Sequence, residues 1–199
     1  MKFIDRAFAI TVAAFALGSV TGALAVFALP PLNTFVGTLL TVRLLGPVRE
    51  ASMFGSIALV LLIFGNNSIT VFLSFLYPFV LGKVRWTPAP SLETMNRLLA
   101  WFSGFAAFLI GFFDLGATLG WAWVNGGGLW AYRLLVTSWL HGPLEFLFVL
   151  LAVAEPLRLT KITGGGIALV DTLKEDWKLL CICLVGLLAS AIVEVFVLA

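Results

Sequence analysis

The chain has 199 residues, of which 61% are hydrophobic and 11% charged, with a formal net charge of +2 and a mean hydropathy of +1.10. Ordinary soluble domains carry about 25% charged residues, so a surface this poor in charge excludes a water-soluble globule. Soluble catalytic, nucleotide-binding and nucleic-acid-binding modules are excluded with it. Cys181 and Cys183, two apart on an apolar run, cannot form a disulfide framework and read as small buried hydrophobes.

The predicted elements are membrane spans in an all-α, polytopic transmembrane helical bundle. No charge occurs between Arg6 and Arg43 or between Glu50 and Lys83, and each gap exceeds the roughly 20 residues that a helix needs to cross hydrocarbon. The first span covers 8–29. Ala23-Leu24-Ala25 mimics a signal-peptidase site, but the apolar run is too long for a signal core of about 7–15 residues. It is therefore expected to remain as an uncleaved helix.

Segment 30–50 opens on Pro30-Pro31 and carries Arg43, Arg49 and Glu50. Its apolar residues suit a short helix lying on the interface. The second span lies within 52–82, the third within 97–123, the fourth within 129–157 and the fifth within 177–198. Backbone groups in lipid must be satisfied internally, which makes each span a helix. Strands would need ten-residue alternation, which is absent. The Gly164-Gly165-Gly166 loop lacks the Lys-Ser/Thr of a phosphate-binding loop. The whole chain, 1–199, reads as one membrane domain.

Five spans put the termini on opposite sides. A cytoplasmic N-terminus places nine Lys and Arg inside and three (Arg43, Arg49, Arg133) outside, as the positive-inside rule requires. Trp86, Trp101 and Trp177 then mark the inner interface, and Trp121, Trp123 and Trp130 the outer one. Trp139 sits deep. The expected location is a cell membrane, crossed several times, with the C-terminus outside.

An ionisable side chain at the bilayer centre costs about 2.5–3.5 kcal/mol on insertion scales, so such residues mark sites. At about 1.5 Å per residue, Asn66 and Asn67 fall near the midplane of the second span. His141 and Glu145 straddle it in the fourth, and Asp114 lies about 6 Å outward of centre in the third. Glu194 is nearer the outer surface. His141 and Glu145 are four apart and share a helix face. Such a layer can be a buried pair that orders the bundle, a proton relay or an ion site. Two carboxylates and the single His could hold a divalent ion, but no second His exists in the chain, and no metal or cofactor is expected.

Two spans are expected to be broken or kinked at this depth, one at Gly65 beside Asn66-Asn67 and one at Gly142-Pro143. Paired midplane interruptions occur at transporter substrate sites, although these two spans run in the same direction rather than inverted. Gly18-xxx-Gly22 and Gly116-xxx-Gly120 offer faces for close helix packing, within the chain or as a homodimer seam. No nucleophile has an adjacent base, and zinc-hydrolase spacings are absent, so an enzyme is not expected.

Residues 125–158 carry a further pattern. Asn125-Gly126 follows an apolar span, a Trp/Leu-rich helix start comes next, and His141-Gly142-Pro143-Leu144-Glu145 leads into Ala152, Ala154 and Leu157. This stretch resembles the stage II sporulation protein M family of integral membrane proteins. The family pattern is an Asn-Gly turn, then a His-Gly-x-x-Glu helix ending in small and aliphatic residues; Pro143 stands where an aliphatic residue is expected. The resemblance implies a five-span, non-enzymatic scaffold or partner subunit of a membrane complex. The alternative is a channel or a proton- or ion-coupled transporter using Asn66, Asn67, Asp114, His141 and Glu145. The expected partners are the lipid bilayer, other membrane proteins or further copies of the chain, and not nucleic acid.

If His141 and Glu145 interact, Glu145→Leu will change the titration of the His141 ring followed by nitrogen-15 NMR. An unchanged titration curve means that the two do not interact.

Overall fold

The computed structural model describes residues 2–42, 46–83, 91–138, 142–154 and 169–197. Its elements are helices: α1 (Lys2–Ala28), α2 (Pro30–Leu40), α3 (Gly46–Met53), α4 (Ser56–Lys83), α5 (Leu92–Ile110), a π-helical segment (Gly111–Ala117), α6 (Thr118–Ser138), α7 (Gly142–Ala154) and α8 (Leu169–Val197). Four stretches are long and apolar enough to cross a membrane: Phe8–Ala28, Ser56–Leu76, Arg97–Val136 and Trp177–Phe196. The protein is a membrane-embedded all-α bundle. His141, Trp139, Arg43 and Gly164–Gly166, singled out from the sequence, lie outside the described residues.

The bundle is organised around α1, which packs on α5, the π-helical segment, α6 and α7. One face of α1 presents Thr11, Gly18, Gly22 and Val26, all buried. The opposing surface presents Gly111, Gly116 and Gly120. A Cβ at Gly18 would overlap the Phe108 carbonyl, one at Gly22 the Phe112 carbonyl, and one at Gly116 the Ser19 carbonyl. A Cβ at Gly120 would come within 2.8 Å of the Ala23 carbonyl oxygen. Helices in lipid associate through such close backbone contact, because the solvent is as apolar as their side chains. The glycine faces are therefore occupied within one chain, which removes them as a homodimer seam.

The π-helical segment brings this surface into register. Gly111 and Gly116 are five apart, and on an α-helix they would point about 140° away from each other. With i→i+5 hydrogen bonding each turn holds more residues than in an α-helix, which swings Gly116 back toward the side of Gly111, and both glycines reach α1. The hydroxyls near the seam are satisfied locally: Thr11 donates to the Phe8 carbonyl and Ser19 to the Phe15 carbonyl.

A second core joins α4, α7 and α8. Val71, Phe75, Val149, Leu150, Val153, Cys183 and Leu187 form its buried centre. The Phe148 ring lies over Gly186, where a Cβ would overlap it. Phe146 meets Phe15 with ring centroids 4.8 Å apart, which ties α7 back to α1.

The chain bends at Gly127, which has φ 74° and ψ 177°, a conformation open to glycine, in the gap expected between the third span (97–123) and the fourth (129–157). The Trp121 and Trp130 rings sit 6.3 Å apart across it. In a straight helix nine residues would separate them by about 13.5 Å along the axis, so the chain bends sharply. Within the expected fourth span, 129–157, the described residues are the end of α6 and the 13-residue α7.

Pro143 is the second described residue of α7, and the residues before it, 139–141, lie outside the described residues, so the expected kink falls at their edge. Gly65 does not break α4, which runs unbroken from Ser56 to Lys83. One interior glycine costs only about 1 kcal/mol relative to Ala, less than the packing around it returns.

Segment 30–50 does not present α2 flat across the bundle end. The chain turns at Leu29, and α2 runs back along α1 and α6. Asn125 donates to Asn33 Oδ1 at 3.0 Å, and the Trp121 Nε1 lies 2.7 Å from the Cβ position of Gly37. Residues advance on α2 as they recede on α6, which makes the pair antiparallel. Val36 is buried with Val26 and Ala117, and Leu32, Leu40 and Trp121 close around them.

Gly116→Ala is expected to destabilise the bundle by at least about 2 kcal/mol, because the added methyl meets backbone that cannot rotate away. Gly65→Ala, with nothing within 4 Å of the new methyl, is expected to be neutral or to stabilise by up to about 1 kcal/mol. Reversible unfolding in mixed micelles measures both, and equal effects would mean that the seam is not closely packed.

Candidate functional site

The midplane polar residues come from elements that the two cores bring together. Asn66 and Asn67 sit halfway along α4. Glu145 lies in the first turn of α7, half-buried, where the exposed backbone amides of a helix start favour a carboxylate. Asp114 lies in the middle of the π-helical segment. Phe15 sets the common level, since its carbonyl packs on Gly111 and its ring on Phe146.

Asn67 donates a side-chain hydrogen bond to the Glu145 carboxylate. Asn66 in turn donates to Asn67 Oδ1, long at 3.4 Å. The result is a short chain of polar groups, Asn66 to Asn67 to Glu145, that links α4 to α7. The carboxylates of Asp114 and Glu194 lie within electrostatic range of Glu145. Three acidic groups on three elements thus act on one region inside an apolar bundle. Among the described residues no three His, Cys, Asp or Glu side chains converge closely enough to hold a metal ion. The carboxylates are spaced rather than gathered.

Ser68, next to Asn67, is 5% exposed and its hydroxyl has no hydrogen-bond partner among the described residues. Buried hydroxyls in apolar surroundings normally find one, so this one adds unmet polarity to the layer. The same helix satisfies Ser74 in the ordinary way, by donation to the Thr70 carbonyl at 2.8 Å.

Of the residues picked from the sequence, Asn66, Asn67, Glu145 and Asp114 fall in one layer. His141 is outside the described residues, one position before α7 begins. Gly18, Gly22, Gly116 and Gly120 belong to the α1 seam, and Gly65 and Gly142 to helix interior and helix start. Sequence reasoning placed Glu194 too far outward to join Glu145, and the pairing of α4 with α8 changes that: Val60 packs with Ala191 and Val195. It also missed the π-helical segment around Asp114. Its signal was the five-residue spacing of Gly111 and Gly116. Segments of this kind are frequent at functional sites.

Comparison of the chain with family models, with curated proteins and with solved structures returned no match.

The Asn67–Glu145 pair should show a coupling of about 0.6–2 kcal/mol in a double-mutant cycle of Asn67→Leu and Glu145→Leu. Unfolding in detergent micelles reads it, and strict additivity would mean that the hydrogen bond contributes nothing.

Proposed function

We propose that this protein passes protons or small cations across the membrane, as a channel or a proton- or ion-coupled transporter. The observation that carries the reading is the Glu145 carboxylate, held by Asn67 and within range of Asp114 and Glu194. Carboxylates at membrane depth are costly to insert, and their mutual repulsion adds to that cost. A proton or cation moving among them offsets both. Their spacing suits stepwise transfer better than tight capture, since a conducting site must release what it binds. The proposal gives His141, four residues before Glu145 in sequence, the role of proton carrier. The distribution of Lys and Arg supports a cytoplasmic N-terminus and an outer C-terminus.

A second reading, a non-enzymatic scaffold or partner subunit like the stage II sporulation protein M family, draws on Asn125. Its amide donates to Asn33 Oδ1 and to the Trp121 carbonyl, which gives the Asn-Gly turn of that resemblance a structural task.

Flux in proteoliposomes separates the two. The transport reading expects proton or cation flux above empty liposomes, reduced at least about tenfold (1.4 kcal/mol) by Glu145→Gln and altered by His141→Ala. No flux across a range of pH and voltage overturns it and leaves the scaffold reading.

A further inference from the structure

Ser68 departs from the pattern that other hydroxyls of the bundle follow. Thr11, Ser19, Thr21 and Ser74 each donate to a carbonyl three or four residues back on their own helix. That bond is open to a serine inside any helix. Ser68 does not make it: its hydroxyl is buried within the span Ser56–Leu76 and has no partner among the described residues. An orphaned buried hydroxyl costs about 1–3 kcal/mol of desolvation, and a bound water or ion is the ordinary explanation of one.

The surroundings of Ser68 say where such a ligand lies. Phe64, Val71 and Phe75 stand at i−4, i+3 and i+7 from Ser68, and all three belong to the core that α4 shares with α7 and α8. Ser68 therefore faces those two helices rather than lipid. The Asn67–Glu145 hydrogen bond sets the level, and Val71 and Val149, each four residues further on, belong to the same core. Hence α4 and α7 run parallel here, and Ser68 lies level with the turn of α7 that carries Glu145.

Three oxygens at this level have acceptor capacity to spare. The Glu145 carboxylate offers about four lone-pair positions, and the Asn67 amide takes one. Asn67 Oδ1 accepts from Asn66 at 3.4 Å, a long contact that leaves its second lone pair. Ser68 Oγ adds a third acceptor. A bound proton needs the carboxylate alone and gives the serine oxygen no task. Hard divalent ions are held by several carboxylates, and among the described residues no three His, Cys, Asp or Glu side chains converge. One carboxylate beside neutral oxygens balances a single positive charge.

We infer that Ser68, Asn67 and Glu145 form a site for one dehydrated monovalent cation of sodium's size, held between α4 and α7. Such an ion, like calcium, sits about 2.3–2.6 Å from its oxygens, so rotation of these side chains admits it without a large cavity. The site names the ion for the transport reading above and rests on that reading for its purpose, though binding does not require flux.

The test is thermal unfolding of the full chain in detergent micelles, with choline chloride replaced stepwise by sodium chloride at constant ionic strength. Sodium should raise the unfolding temperature of the wild type, as a ligand of the folded state does. Glu145→Gln should abolish the rise. Ser68→Ala removes only an unsatisfied hydroxyl, so without sodium it should be at least as stable as the wild type. Its sodium concentration for half of the rise should increase at least about tenfold, the loss of one oxygen facing a charge. An unfolding temperature indifferent to sodium, the result that a bound water gives, overturns the site. So does an unchanged half-point in Ser68→Ala, or a Ser68→Ala chain less stable than the wild type without sodium, since the hydroxyl then has a protein partner. Flux in proteoliposomes is read separately. Sodium binding without flux keeps the site and rejects the transport reading, and proton flux without a sodium response does the reverse.

Discussion

The close approach of α1 to the surface running from Phe108 to Gly120 is the contact on which the remaining structure depends. Glycines on both sides let the two backbones touch, and any side chain at Gly18, Gly22 or Gly116 would separate them. In lipid no hydrophobic force holds helices together, so area of close contact is the main source of attraction. The π-helical segment is what lets Gly111 join the seam. It also sets how Asp114 is presented, because a segment wound to keep Gly111 and Gly116 on α1 leaves the carboxylate between them on an exposed surface. Packing and polar chemistry are fixed by one local change of winding.

From that seam the rest of the layer follows. Phe15, on the same helix as Gly18, carries Phe146 and so sets the position of α7. That position brings Glu145 to Asn67 on α4, while α8, packed on α4 and α7, brings Glu194 within range. An apolar bundle selected for stability alone would not gather these groups, since each carboxylate costs about 2.5–3.5 kcal/mol to place centrally. The hydrogen bonds recover part of that cost, though membrane hydrogen bonds average only about 0.6 kcal/mol.

How much was legible can be traced residue by residue. The charge-free runs after Arg6 and Glu50 located α1 and α4, because hydrocarbon excludes charge whatever the fold. The four-residue glycine spacings named Gly18, Gly22, Gly116 and Gly120 as packing positions, and each is one. Asn66, Asn67, Asp114 and Glu145 were placed in one layer by counting rise per residue. The readings that failed were local. Gly65 was taken as a break, but one glycine does not stop a helix that is packed along its length. Segment 30–40 showed the composition of an interfacial helix, yet composition carries no direction.

By itself the sequence determined the solvent, the helical class, the approximate spans and the polar residues that the solvent penalises. These depend on transfer energies and on rise per residue, which are properties of local stretches. Only the tertiary structure decided that the glycine faces close on each other within one chain, and that Glu194 belongs with Glu145. It alone decided that α2 turns back beside α6. These depend on which surfaces meet, and the energy of a contact belongs to two segments at once.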